Sequence, residues 1–155
     1  MIKHNRPAGF TLVELTMVLS ILSVMLLCVF PALREAFAEY TIYACARQMA
    51  SDIRSHQQAA ISAEEVSVTY QISFDEEDDT YNLKRGLTSL QMVYLPSSVD
   101  METNFPDKEL KFSILGVPVG PGGNVFLQDR VTGKQYFVIV SPVVGRVRVD
   151  TRPPD

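Results

Sequence analysis

The sequence predicts an α+β protein. A long N-terminal α-helix, transmembrane in its first half and amphipathic in its second, packs on a C-terminal antiparallel β-sheet head. Three observations predict this. Phe10 to Phe30 is a 21-residue run with a single charge, Glu14. Ala32 to Ala63 holds no glycine or proline, and its apolar residues recur at spacings near three and four. From Val66 onward, alternation with period two takes over. The chain therefore divides into a short basic segment at 1–9, a membrane half of the helix at 10–30, an amphipathic half at 31–63 and a β-rich head at 64–155.

The membrane half follows from length. At about 1.5 Å per residue, 21 residues make roughly 31 Å of helix, enough for a bilayer core of about 30 Å. Lys3 and Arg6 precede it, and the positive-inside rule keeps that short end in the cytoplasm. The head is then delivered to the other side. Ala36-Phe37-Ala38 offers an A-x-A site for an ordinary signal peptide. A secretory apolar region is shorter, however, about 7–15 residues, and lacks an acid at its start. A plain unprocessed anchor is the other simple alternative. Glu14 bears on both, because a carboxylate inside a spanning helix costs a few kcal/mol unless it is paired.

Pro31 removes one helical hydrogen bond, and a kinked but continuous helix is predicted through it. Beyond it Leu33, Phe37, Tyr40, Ala44, Met49, Ile53 and Ala60 form the predicted apolar stripe. His56 sits on or beside that stripe, where a histidine packs or hydrogen-bonds rather than ligates.

The head begins with Val66 to Phe74, rich in β-branched and aromatic residues, and Tyr81 to Lys84 returns as its partner. Asp75 to Asp79 lacks the glycine and ligand spacing of a calcium loop and reads as a solvated hairpin tip. Leu90 to Leu95 and Leu110 to Leu115 are further strands, separated by a polar loop. Gly116 to Gly123 is rich in glycine but opens into a strand, without the Gly-Lys-Ser/Thr and helix of a nucleotide-binding loop. It reads as a turn-rich connection. Asn124–Arg130, Gln135–Ser141 and Arg146–Asp150, joined by short turns, form an antiparallel meander.

Composition narrows the function classes. About 95 residues remain for the head, enough for one small domain. Cys28 and Cys45 are 17 residues apart, about 25 Å along a helix, too far to bridge. Beyond the first nine residues there is one histidine, with no nucleophile paired to it and no metal-ligand cluster, so the reading is a non-enzyme with no cofactor or metal. The formal charge is −4, yet residues 110–155 hold six bases and three acids, against three bases and eleven acids in 60–109. Such asymmetry can mark an anionic partner.

Ala8-Gly9-Phe10-Thr11-Leu12-Val13-Glu14 resembles the processing site of type IV prepilins. The resemblance implies cleavage between Gly9 and Phe10 by a prepilin peptidase, with N-methylation of the new Phe10 amine. The segment 1–9 is then the leader. Glu14 becomes an assembly residue that neutralises the amine of a neighbouring subunit, two costly groups forming one register-setting pair. The protein would first be a single-pass inner (plasma) membrane protein and then part of a periplasmic or surface filament with other pilins or pseudopilins.

The C-terminal half is similar to the GspH/FimT-like group of minor pseudopilins and minor pilins. A Gly-rich loop, Val125-Phe126-Leu127-Gln128-Asp129-Arg130, Tyr136-Phe137-Val138-Ile139-Val140-Ser141 and Gly145-Arg146-Val147-Arg148 carry it. The resemblance implies a minor subunit near the filament tip that aids initiation of assembly and protein secretion, engaging secreted cargo. The alternative is a DNA-binding minor pilin for natural transformation. In FimT-like pilins a Gly-Arg-x-Arg motif is implied in DNA contact, which carries over to Arg146 and Arg148. Two residues apart on a strand, they share one face and can meet phosphates together. A structural end-strand is the plain alternative.

Overall fold

The computed structural model describes residues 11–63 and 68–153. The leader, Phe10, and the Val66-Ser67 start of the first predicted strand lie outside the described residues. The chain forms two compact units, Met1–Phe37 and Ala38–Asp155. Helix α1 runs Leu12–Ile61 with Pro31 inside it, so the helix continues past the proline as the sequence reading expects.

In the first unit every described residue is exposed, including Leu19, Leu22, Leu26 and Phe30. A helix apolar all round needs lipid or other helices about it. Its hydroxyls are already satisfied. Thr16 donates to the Val13 carbonyl at 2.9 Å, Ser20 to Thr16 at 2.7 Å and Ser23 to Leu19 at 2.7 Å. Such back-bonding leaves little polar surface to desolvate in an apolar medium.

In the second unit α1 buries Ile42, Ala46, Met49, Ala50, Ile53, His56 and Ala60. Met49, Ile53 and Ala60 belong to the predicted stripe, but Leu33, Phe37, Tyr40 and Ala44 are exposed. Apolar residues occur on more than one face between residues 33 and 46, so spacing alone does not select the buried one. The head does so, by covering the Ile42–Ala46 side. His56 is buried as a packing residue: its Nε2 donates to the Lys84 carbonyl at 3.0 Å and its ring meets Tyr70 edge-on at 5.3 Å.

Among the described residues the head contains two four-stranded antiparallel sheets. The first has the order β3-β2-β1-β5, from β1 (Tyr70–Asp75), β2 (Thr80–Arg85), β3 (Thr88–Tyr94) and β5 (Glu109–Phe112). The second has the order β4-β6-β7-β8, from β4 (Val99–Thr103), β6 (Gly123–Asp129), β7 (Gln135–Val140) and β8 (Val147–Asp150). Ile72, Leu110, Met101, Leu127 and Val138 join the helix face in one core. The meander of β6, β7 and β8 forms as predicted.

Strand β4 lies inside the segment read from sequence as a polar loop. It has only five residues, and Val99 and Met101 are its only buried side chains, too short a pattern to register. It is an edge strand, and its backbone N–H groups at alternate positions are all taken. Val99 N donates to the Pro96 carbonyl at 2.8 Å, Met101 N to Asp79 Oδ1 at 2.9 Å and Thr103 N to Glu76 Oε1 at 2.8 Å. The hairpin tip is thus only partly solvated. Glu77 and Asp78 are exposed, but Glu76 and Asp79 close the open edge of the other sheet, where a foreign strand would otherwise add.

Candidate functional site

Two places carry the residues singled out by sequence. The first is the start of α1. Gly9 and Phe10 lie outside the described residues. Thr11 is the N-cap and Glu14 the third helical residue. Glu14 N donates to Thr11 Oγ1 at 3.2 Å, and Thr11 N approaches Glu14 Oε2 at 3.5 Å. This is a reciprocal capping box, and Thr-x-x-Glu before an apolar run is its sequence signal. The sequence reading missed it. The Glu14 carboxylate is therefore turned back toward Thr11 at the N-terminal end of the helix.

The second place is the turn into β8. Gly145 is buried with φ +62°, and a Cβ there would lie 2.5 Å from Gln57 Nε2 and 2.6 Å from the Gly116 carbonyl oxygen. Only glycine suits both the space and the backbone. Gln57 Nε2 donates to that same Gly116 carbonyl, and an Arg54 guanidinium nitrogen donates to the Val147 carbonyl at 2.8 Å. Two residues of α1 thus hold the motif at Val147 and the turn at Gly116 that packs against Gly145. Val147 points into the core, while Arg146 and Arg148 are exposed. The predicted alternation holds, although β8 begins at Val147, one residue later than expected. Arg146 precedes it, its carbonyl accepting Ser141 N at 3.0 Å.

Both arginines line a cleft of about 780 Å³ on the outer face of the second sheet. The cleft brings in residues that sequence reasoning did not select: Asn104, Asn124, Ser141 and the Gly122-Gly123 backbone. The Gly-rich segment is a connection, as predicted, but its last residues form a wall of this cleft. Gly123 must be bare, because a Cβ would lie 2.7 Å from Asn104 Oδ1 and from the Phe105 ring. No aspartate or glutamate lines the cleft among the described residues. By register the nearest acids across the sheet, Glu102 and Asp150, fall in the next row, with Phe126 and Phe137 between them. The cleft can hold an anion, and it presents no acid–base pair for chemistry.

Residues 4–29 match the family model described as the prokaryotic N-terminal methylation motif. Over 151 residues the chain is 32% identical to competence protein ComGD of Bacillus subtilis (strain 168), covering 97% of this chain and 99% of that protein. The chain belongs to the ComGD family of type IV prepilin-like minor pilins. The fold agrees: the minor pseudopilin EpsH from the type 2 secretion system of Vibrio cholerae matches with a TM-score of 0.56 at 10% identity, over 70% of this chain and 95% of that one. The resemblance to type IV prepilins, read from the residues alone, is thereby established, and the fold is that of a minor pseudopilin. This minor pilin has one helix long and apolar enough to cross a membrane among its described residues.

Proposed function

We propose that this chain is a minor pilin of a DNA-uptake filament. The observation that carries the reading is full-length similarity to a competence protein, which tilts the choice from secretion to transformation. In this reading a prepilin peptidase cuts between Gly9 and Phe10, and the Phe10 amine is methylated. The helix stays anchored in the inner (plasma) membrane with its N-terminus cytoplasmic and its head outside. It then leaves the bilayer laterally to pack among other pilins near the tip of the filament, where it aids initiation of assembly. Glu14 neutralises the Phe10 amine of a neighbour, in a setting where both charges would otherwise be buried alone. The role is structural and binding rather than enzymatic.

The exposed pair Arg146 and Arg148 supports DNA contact. Both guanidiniums lie in one cleft without a carboxylate, in a chain of net charge −4. The test is a mobility shift with the full chain in nonionic detergent, beside Arg146→Ala/Arg148→Ala. Two neutralised phosphates give a log–log salt slope of about −1.8 on duplex DNA. A salt-sensitive shift lost in the double variant is expected. In cells, the same variant should lower DNA uptake and leave protein secretion unchanged. Loss of secretion with normal uptake would instead make this a secretion pseudopilin whose head meets protein cargo.

A further inference from the structure

Resting on the DNA-contact reading, we propose that Asn104 is a further DNA-binding residue, extending the arginine pair into a track for one phosphodiester backbone. The track crosses the outer face of the second sheet. Asn124 pairs with Ile139, and Ile139 with Arg148. Asn104 joins the row from the other side: Asn104 N donates to the Asn124 carbonyl at 3.2 Å, and Asn124 N donates to Asn104 Oδ1 at 2.7 Å. Asn104, one residue past the end of β4, thus stands side by side with Asn124, Ile139 and Arg148 on β6, β7 and β8. With strands about 4.8 Å apart, the row spans roughly 14 Å.

The hydrogen bond from Asn124 N determines the orientation of the Asn104 amide. A backbone N–H requires the oxygen as acceptor, so the NH₂ group is the end left over. Among the described residues that NH₂ donates to nothing, and Asn104 is exposed in the cleft wall. Gly123, without a Cβ, leaves the space that the Asn104 oxygen occupies. A fixed neutral donor at one end of the cleft and two guanidiniums at the other, with no carboxylate between them, suit an anion that is extended rather than compact. A phosphodiester strand has that shape, offering oxygen acceptors at repeated intervals. Because the row presents no aromatic side chain to stack a base, the contact is to backbone and independent of sequence.

The test compares Asn104→Asp and Asn104→Ala in the full chain, in nonionic detergent, by the same mobility shift at low salt. Asn104→Asp keeps the oxygen that accepts Asn124 N and replaces only the free donor with a negative oxygen. Its melting temperature should match the parent chain, while its affinity for DNA falls by about fivefold or more. Asn104→Ala should weaken binding by about twofold to threefold. If the parent chain binds, the arginine double variant does not and Asn104→Asp binds as the parent does, the role of Asn104 is overturned and the arginine reading stands. If the parent chain retains no DNA, both fall. If polyglutamate at equal charge concentration displaces DNA, the phosphodiester assignment is overturned and the cleft takes an acidic protein segment instead.

Discussion

Asp79 and Arg130, 51 residues apart, meet at 2.7 Å and join the tip of the first sheet to the second. Arg130 also holds Asp100 at 2.9 Å, and these two acids raise its pKa above its ordinary value. Asp79 is buried and in addition accepts Met101 N. Asp79→Ala would leave that edge N–H without an acceptor. The expected cost is about 1–3 kcal/mol, the range for orphaning a buried donor. Thermal unfolding should show it, and an unchanged melting temperature would mean that the clamp contributes nothing net.

The glycine of the arginine motif serves the fold, and the arginines do not. Gly145→Ala places a Cβ against Gln57 and the Gly116 carbonyl at positive φ. A loss of about 1–3 kcal/mol is expected from the backbone strain alone. Arg146→Ala/Arg148→Ala should stay within about 0.5 kcal/mol of the parent, as for exposed side chains. Denaturant melts of the two variants separate the roles. Equal destabilisation would show the arginines to be structural.

The observed cap at Glu14 and its proposed pairing with a neighbouring subunit can be separated. Glu14→Gln retains a capping box, since glutamine can also reach back to Thr11 N, but it removes the charge. Glu14→Ala removes both. If pairing with a neighbour's Phe10 amine governs assembly, both variants should insert in the membrane and neither should enter filaments. Normal incorporation of Glu14→Gln, scored by shearing and immunoblotting, would reduce Glu14 to a helix cap.

Burial lowers the pKa of His56 below its ordinary value of 6.5, against the opposing effect of the Lys84 and Gln71 backbone contacts. The unfolded chain then binds a proton more readily than the folded one. The stability that depends on a neutral His56 is present above pH 6.5 and is lost as pH falls through the lower, folded value. His56→Gln removes this titration. Melting temperatures between pH 7.5 and 5 should fall more steeply for the parent chain than for the variant, and parallel curves would exclude His56 as a source.

At the other corner of the head, Lys108 lies 2.9 Å from Glu76 and holds its carboxyl below the usual glutamate value. That contribution is present above the unfolded pKa and fades only as pH falls through the folded one, so it acts at more acid pH than His56. Lys108→Ala should leave the slope near pH 6 untouched and change it below about pH 4.5. A difference confined to neutral pH would contradict this assignment.

The sequence by itself determined the long helix, the membrane half, the β head and the prepilin-like start. Each rests on local chemistry that one segment contains: a 21-residue apolar run, alternation in β1, and seven residues around Gly9. The meander was legible because its turns are short and its strands adjacent. Tertiary structure alone decided which helix face is buried, because spacing from residue 33 to 46 permits more than one. It alone decided that β4 is a strand, since two inward residues give no periodic signal, although all five residues of the strand pair with residues 125–129 of β6. It gave Glu76 and Asp79 their work, because a carboxylate in a turn does not announce a donor more than 20 residues away. The same holds for the cleft. Arg146 and Arg148 could be picked from a motif, but Asn104 reaches them only across two intervening strands, a proximity made by sheet register and absent from the order of residues.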